Sequence, residues 1–284
     1  MKSLKLKQNP LNLKDTLTCG QAFRWRETNN KWFGFIDNEP CLLWIENDTL
    51  FWIGNQEEKE IEKYFLLDID YNKVYIDLIS ADKDLEPIID KYFGLRVLRQ
   101  NPEETFYSFL CSACNSIPKI MIGIEKLCAL YQENKIINEP PLVTCYSFPT
   151  TEQIAKGNRE KMRAIKEIAF RGGNIYDCSQ ILLQKNDFFK NLEKMTYKEA
   201  KASLTDIKFV GSKIADCICL FSLDMPFVVP VDTHVRQIAE KKFGFKIKSK
   251  SISKTEYGDI QKIFVDKYGN NAGLAQQFLF MNEI

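Results

Sequence analysis

Through residues 22–54, apolar and aromatic side chains alternate with polar ones or run in short blocks: Ala22–Trp25, Lys31–Ile36, Cys41–Glu46 and Thr49–Gly54. A period of two over such lengths is the pattern of half-buried strands. The blocks are separated by Asn29-Asn30, Asp37-Asn38 and Asn47-Asp48, residue pairs that accept the positive φ of tight hairpins. The spacing predicts an antiparallel meander. All four tryptophans, Trp25, Trp32, Trp44 and Trp52, fall inside it and are expected to pack the sheet against helices opening near Glu57 and Asp84.

From about Leu95 the period lengthens to that of a helix. Asn101-Pro102-Glu103-Glu104 offers an N-cap, an N1 proline and first-turn acids, after which Phe106, Phe109, Leu110 and Ala113 recur at helical spacing. Asn115-Ser116-Ile117-Pro118 interrupts, and Ile120, Ile124, Leu127 and Leu130 predict a second helix. Pro140-Pro141 marks a loop, and Phe148-Pro149-Thr150 introduces short helices up to Leu192, with Ala169–Gly173 read as a turn between them. Thr196-Tyr197-Lys198-Glu199 is a capping box that opens a helix turning Ala200, Leu204 and Ile207 inward. A tight turn, Phe209-Val210-Gly211, leads into an apolar-periodic helix that begins near Ser212 and stops before Pro226. Asp232 is placed to cap a further helix ending at Gly244, and Asn271–Phe280 predicts a last one after Gly269. The expected fold class is α+β, with residues 1–95 an antiparallel sheet domain with flanking helices and residues 96–284 an all-helical domain.

With 284 residues, 45% hydrophobic and 27% charged, the chain has an ordinary globular composition, and its net charge of +1 does not advertise a polyanionic partner. Locally the balance differs, since Lys201 to Lys254 holds ten Lys or Arg against five Asp or Glu. Lys241, Lys242, Lys246, Lys248 and Lys250 cluster there around Phe243 and Phe245; such a run is ordinarily a solvated face. The nine cysteines are odd in number and scattered. No apolar stretch follows Met1-Lys2-Ser3-Leu4-Lys5 and none approaches a membrane span, so reduced thiols in the cytoplasm and no membrane partner are expected. Cys111-Ser112-Ala113-Cys114 fits C-x-x-C but falls late in an apolar helix, where a buried structural role is expected. With one histidine, no protein-held metal is expected.

Chemistry concentrates around Lys213 and Asp232. A helix following a tight turn begins with unsatisfied backbone N–H groups, a ready seat for an anion such as a DNA phosphate. Lys213 sits in that first turn, where the helix dipole disfavours a cation; the same field favours the neutral amine that a nucleophile requires. Ordinary readings exist as well: a solvated lysine, and an aspartate that only caps. The two roles of Asp232 are compatible, because one carboxylate oxygen can cap while the other faces a site.

The helix, turn, helix and Pro230-Val231-Asp232 loop resemble the helix-hairpin-helix DNA glycosylases. That family's hairpin usually reads Leu-Pro-Gly-Val-Gly; Val210 and Gly211 fit, whereas Ile207, Lys208 and Phe209 depart. A lysine two residues past the final hairpin glycine resembles the bifunctional subclass, which cuts the glycosidic bond and then the strand. Thr18–Trp25 is similar to the Gly-Gln-x-Phe-Arg-Trp segment of the 8-oxoguanine glycosylases, whose glycine carbonyl reads the lesion, and so implicates Gly20. Taken alone, Gly20 would be a turn glycine, Phe280 core and Gln276 solvated. The resemblance implies instead that Gln276 and Phe280, four residues apart and so on one helix face, read and stack on an extruded purine. Cys217, one turn after Lys213, would lie against that base, with Phe221 where the family carries methionine. Val210, Gly211 and His234 would contact the DNA backbone; Phe170 and Arg171 match a wedge aromatic and an arginine facing the estranged base; Asn115 and Lys119 fall in the opposite-base segment, with Cys114.

The implied protein is a monomer acting on damaged double-stranded DNA, removing 8-oxoguanine through Lys213 and Asp232 and cleaving the strand. It has two helical subdomains with the active site between them. No cofactor is expected, because no cysteine follows Cys219 to build the iron–sulfur cluster of related glycosylases. The expected location is cytoplasmic and nucleoid-associated in a bacterium, or nuclear in a eukaryote. The alternatives are a monofunctional alkylpurine glycosylase and a non-catalytic helix-hairpin-helix DNA-binding protein.

Overall fold

The computed structural model describes residues 1–138, 143–247 and 251–283. The expected loop at Pro140-Pro141, and Lys248 and Lys250 of the basic run, lie outside them. Five strands, β1 (Lys2–Lys5), β2 (Arg26–Thr28), β3 (Lys31–Ile36), β4 (Glu39–Glu46) and β5 (Thr49–Gly54), form one antiparallel sheet in the order β1-β5-β4-β3-β2. Its hairpins turn at the three expected pairs, and all six residues have φ between 47° and 68°, the two-residue turn that suits twisted strands. The sheet's inner face packs Leu43, Leu50 and Trp52, together with Trp25 from the segment before β2, against Leu13 and Leu17 of α1 (Leu13–Thr18) and Ile61 and Phe65 of α2 (Glu58–Phe65).

Two features correct the sequence reading. Ala22–Trp25 is not a strand: β2 begins at Arg26, and the segment before it is fixed by side chains. Gln21 Nε2 donates to Thr16 O and Arg96 O, Trp25 Nε1 donates to Tyr64 OH, and Arg24 pairs with Glu104 and donates to the Tyr146 carbonyl. The unforeseen β1 covers the edge of β5, with Leu4 opposite Leu50 and Lys2 opposite Trp52.

Helices α3 (Tyr71–Ala81) and α4 (Glu86–Lys91) share the large core with the helical region. That region continues with α5 (Pro102–Leu110) and α6 (Ile117–Cys128), then an unexpected ribbon of β6 (Lys135–Asn138) and β7 (Val143–Tyr146). Short helices follow as α7 (Thr151–Lys156), α8 (Arg159–Arg163), α9 (Phe170–Leu182) and α10 (Phe188–Leu192). The presumed turn at Phe170–Gly173 is the first turn of α9. Its glycines serve packing, since a Cβ on Gly172 would lie 2.1 Å from Met162 O. The chain ends with α11 (Tyr197–Thr205), α12 (Ser212–Ser222), α13 (Thr233–Phe243), α14 (Lys254–Tyr268) and α15 (Ala272–Glu283). The last helix returns to the first third of the chain: Tyr75 meets Phe278 edge to face at 5.7 Å, and Tyr92 OH donates to Met281 O. Among the described residues, no helix is long and apolar enough to cross a membrane.

Candidate active site

Residues far apart in the chain converge on one pocket. Cys19 and Gly20 from the turn after α1, Phe109 from α5, Lys213, Cys217 and Phe221 from α12, Pro230 and Asp232 from the loop before α13, and Gln276, Gln277 and Phe280 from α15 line it. The spacing 213, 217, 221 is one turn per step, so one stripe of α12 forms a wall. Phe221 stacks on Phe109 at 5.6 Å with an interplanar angle of 13°, filling with a flat ring the place the family gives to methionine.

The lysine is brought in by the hairpin. The capping box at Thr196 opens α11, Val210 N–H closes the turn on Ile207 O, and α12 starts from Gly211 without a capping side chain. Its first amides are therefore unspent, and Gly211 has open space where a Cβ would stand, so a phosphate can approach the backbone. Phe209, where the family carries glycine, takes φ +71°; a non-glycine residue held there costs about 1–2 kcal/mol. Lys213 Nζ lies 3.3 Å from Ser112 Oγ and 5.1 Å from the centroid of the Phe109 ring. Burial pushes the Cys217 thiol up to about 12 against the opposing pull of Lys213, so this wall presents a neutral thiol.

Asp232 caps α13 and lines the pocket. Its Oδ1 accepts from His234 N and Val235 N, each at 2.9 Å, while the side chain also lines the pocket. Gln276 is 4% exposed, and its side-chain amide has no hydrogen-bond partner among the described residues, so its donor and acceptor remain for a ligand. Phe280 meets the His234 ring edge to face at 5.5 Å. Gly20 has φ +82°, a backbone conformation that favours glycine, and a Cβ there would come within 2.9 Å of Ile117 Cδ1, the end of a side chain that would have to give way. The cavity measures about 60 Å³, whereas a benzene-sized ring occupies a cavity of about 150 Å³. A purine therefore enters only when a wall moves, and Phe280 is partly exposed.

The opposite-base residues are placed elsewhere, around the turn after α5. Helix α5 ends at Leu110, so Cys111 is buried but Cys114 is exposed with φ +50°, and the buried structural role expected of the C-x-x-C pair holds for Cys111 alone. Arg171, expected to face the estranged base, is buried instead: its Nε and Nη2 donate to Ala113 O and Cys114 O at 2.5 and 2.8 Å. Asn115 Nδ2 donates to Cys111 O and Glu167 O. Lys119 is exposed. Phe170 stands 55% exposed after Ala169, whose φ of +45° marks a strained entry to α9. Of the basic run, Lys241 pairs with Glu283, and Lys242 with Asp82 and Asp84.

Sequence reasoning missed Cys19, Phe109, Ser112, Pro230 and Gln277. Cys19, Pro230 and Gln277 adjoin or lie within the motifs that singled out Gly20, Asp232 and Gln276, whereas Phe109 and Ser112 belong to a helix and turn that carry no motif pointing to the pocket.

A hairpin-borne lysine and an aspartate cap lining one pocket are the arrangement expected of the lysine-bearing helix-hairpin-helix DNA glycosylases. A family model described as the 8-oxoguanine DNA glycosylase N-terminal domain matches residues 3–106. The chain is 29% identical to the N-glycosylase/DNA lyase OGG1 of Arabidopsis thaliana, covering 99% of this chain and 80% of that protein. It is 27% identical to the N-glycosylase/DNA lyase of Saccharomyces cerevisiae over 99% and 85%. Among solved structures it is similar to the Clostridium acetobutylicum 8-oxoguanine glycosylase/lyase bound to double-stranded DNA with cytosine opposite 8-oxoguanine. That likeness has a TM-score of 0.83 and 27% identity, over 96% of this chain and 93% of the other. MBOgg1 in complex with a low-affinity DNA ligand matches at TM-score 0.85 and 29% identity, over 95% and 91%. Over nearly its whole length the chain is thus similar to N-glycosylase/DNA lyases and to 8-oxoguanine glycosylase/lyases of known structure.

Proposed function

We propose that this protein excises 8-oxoguanine from duplex DNA and then cleaves the strand, with Lys213 as nucleophile. The observation that carries the reading is the convergence of Lys213, Cys217, Asp232, Gln276, Phe280 and Gly20 on one pocket beside the uncapped start of α12. The hairpin amides hold a phosphate, giving affinity without sequence preference. Phe170 fills the gap in the stack as the nucleotide swings out at a cost of a few kcal/mol. Gln276 and the Gly20 carbonyl read the base, which lies between Cys217 and Phe280.

The free amine of Lys213 adds to the sugar C1′ as the glycosidic bond breaks and the base leaves with a proton. Asp232 stabilises the positive charge that develops on the sugar and orients the amine. Loss of the ring oxygen from C1′ gives a protonated Schiff base, which acidifies the C2′ hydrogen, and β-elimination expels the 3′ phosphate. We further propose a monomer without a membrane partner, cytoplasmic in a bacterium or nuclear in a eukaryote.

Borohydride reduction during incubation with an 8-oxoguanine duplex tests this. The parent is expected to be trapped covalently and Lys213→Gln to escape; a variant trapped as well as the parent would mean that another amine attacks.

A further inference from the structure

Behind the pocket wall, Asp216 is fully buried on α12, and no step above uses it. It lies three residues past Lys213 and next to Cys217. Its Oδ1 accepts from Tyr197 OH at 2.9 Å. Its Oδ2 accepts from Lys201 Nζ at 2.9 Å, Tyr257 OH at 2.6 Å and Gln261 Nε2 at 2.8 Å. Those partners come from α11 and α14, and two of them also hold the loop that enters α13. Val231 N–H donates to Tyr257 OH at 3.1 Å, and Gln261 Nε2 donates to Val229 O at 2.9 Å. Val231 immediately precedes Asp232. A continuous chain, Val231 N–H to Tyr257 OH to the Asp216 carboxylate, thus joins the backbone beside Asp232 to the helix that carries Lys213.

A buried ion pair such as Lys201–Asp216 is a poor way to gain stability, because desolvation offsets the attraction and an apolar replacement of similar shape is often as stable. What a fully hydrogen-bonded carboxylate supplies is direction: four donors from two other helices fix one geometry. We propose that Asp216 and Tyr257 form a positioning tether that sets the Asp232 carboxylate against the Lys213 amine and thereby governs the rate of attack at the sugar. The inference rests on Lys213 and Asp232 being the reacting pair of the function proposed above.

Tyr257→Phe removes one hydroxyl and leaves Asp216 its other three donors. Single-turnover excision of 8-oxoguanine is expected to fall on the order of 10- to 100-fold, the scale of a misplacement of about 1 Å. Affinity for a duplex with a tetrahydrofuran abasic analogue is expected to change less than about threefold, because the hydroxyl removed contacts neither the hairpin turn Phe209–Gly211 nor the residues proposed to read the base. In an Asp232→Asn background the same change is expected to cost nothing further, since the charge to be placed is gone; general loosening would multiply the two losses. Parent-like excision by Tyr257→Phe, multiplying losses, or an equal loss of DNA affinity would each overturn the proposal. Asp216→Asn combined with Lys201→Met keeps the site neutral and should reproduce the rate loss; if it does not fold, the tyrosine series decides alone.

Borohydride trapping on an abasic-site duplex separates this idea from the substrate assignment, because that reaction uses Lys213 with no base to excise. A parent that traps there yet leaves 8-oxoguanine untouched would sink the substrate reading only. Slower trapping by Tyr257→Phe would still support the tether, and parent-like trapping would overturn it.

Discussion

Replacing Asp232 by asparagine separates its two roles, because the cap needs only an acceptor oxygen whereas the proposed chemistry needs the negative charge. Both cap bonds, from His234 N and Val235 N, end on Oδ1 at 2.9 Å, and an asparagine carbonyl can accept both. Asn and Asp are near-equal N-caps. The folding cost is thus mainly the lost negative charge at the start of α13, about 0.3–1 kcal/mol, or roughly 1–4 °C in Tm for a domain of this size. Excision loses more, since the charge that stabilises the developing sugar cation has gone. Removing one preorganised electrostatic contact costs on the order of 100- to 1,000-fold in rate, about 2.7–4 kcal/mol. Single-turnover excision beside a thermal melt reads both numbers. A rate within tenfold of the parent, or a melting loss as large in free energy as the kinetic one, would show that Asp232 is chiefly a cap.

Gly20→Ala forces a left-handed backbone onto a residue with a Cβ and presses it against Ile117, so the carbonyl should shift; the ratio of affinities for 8-oxoguanine and guanine duplexes should fall, and an unchanged ratio would refute a reading role. Gln276→Ala and Phe280→Ala should weaken binding to lesion DNA more than to undamaged DNA in a titration of each, whereas equal losses would place them outside base recognition. Burial raises the Cys217 thiol from 9.0 to about 12 in the folded protein, so the stability gained by keeping it neutral is fully present below pH 9 and is lost as pH rises toward 12. Iodoacetamide mapping near neutral pH should accordingly find the exposed Cys114 alkylated first and Cys217 protected until the chain unfolds; early labelling of Cys217 would contradict this.

What the sequence made legible was local. Paired Asn and Asp residues place three hairpins because positive φ is a property of those residues, and the 213, 217, 221 spacing places one wall of the pocket because a helix repeats every turn. The capping box at Thr196 and the cap at Asp232 were equally readable. Strand β1 was not, since the four residues Lys-Ser-Leu-Lys become a strand only when β5 offers its edge. Ala22–Trp25 read as a strand by its apolar content, yet the segment is tied to the rest of the fold by the Gln21, Arg24 and Trp25 side chains rather than by a ladder. The C-terminal wall escaped periodicity for another reason: α15 is buried over most of its surface, so its pocket face does not stand out. Asp216 did leave a signal, a lone acid in the apolar run Ile214–Phe221. A buried charge needs partners, but the sequence does not say that they would be Tyr257 and Gln261.

The base opposite the lesion should be read weakly. Discrimination of a cytosine requires amide or guanidinium groups aimed at its edge, each good bidentate contact being worth about 1–3 kcal/mol. In this chain the segment after α5 presents Cys114, whose thiol is a poor substitute for an amide, and the exposed Lys119, a point charge in place of a planar fork. The remaining candidates are engaged: Arg171 on the carbonyls of Ala113 and Cys114, and Asn115 on those of Cys111 and Glu167. Freeing Arg171 would break its charge-assisted bonds to the Ala113 and Cys114 carbonyls, a cost comparable with what one base contact returns. A preference below roughly tenfold for cytosine over the other three bases follows, since tenfold corresponds to about 1.4 kcal/mol, the lower part of what one such contact gives. Single-turnover excision from duplexes carrying each base opposite 8-oxoguanine measures it. A cytosine preference above about 100-fold, abolished by Arg171→Ala without loss of folding, would show that the guanidinium leaves its carbonyls in the complex and that the geometry of the unbound protein misleads at this position.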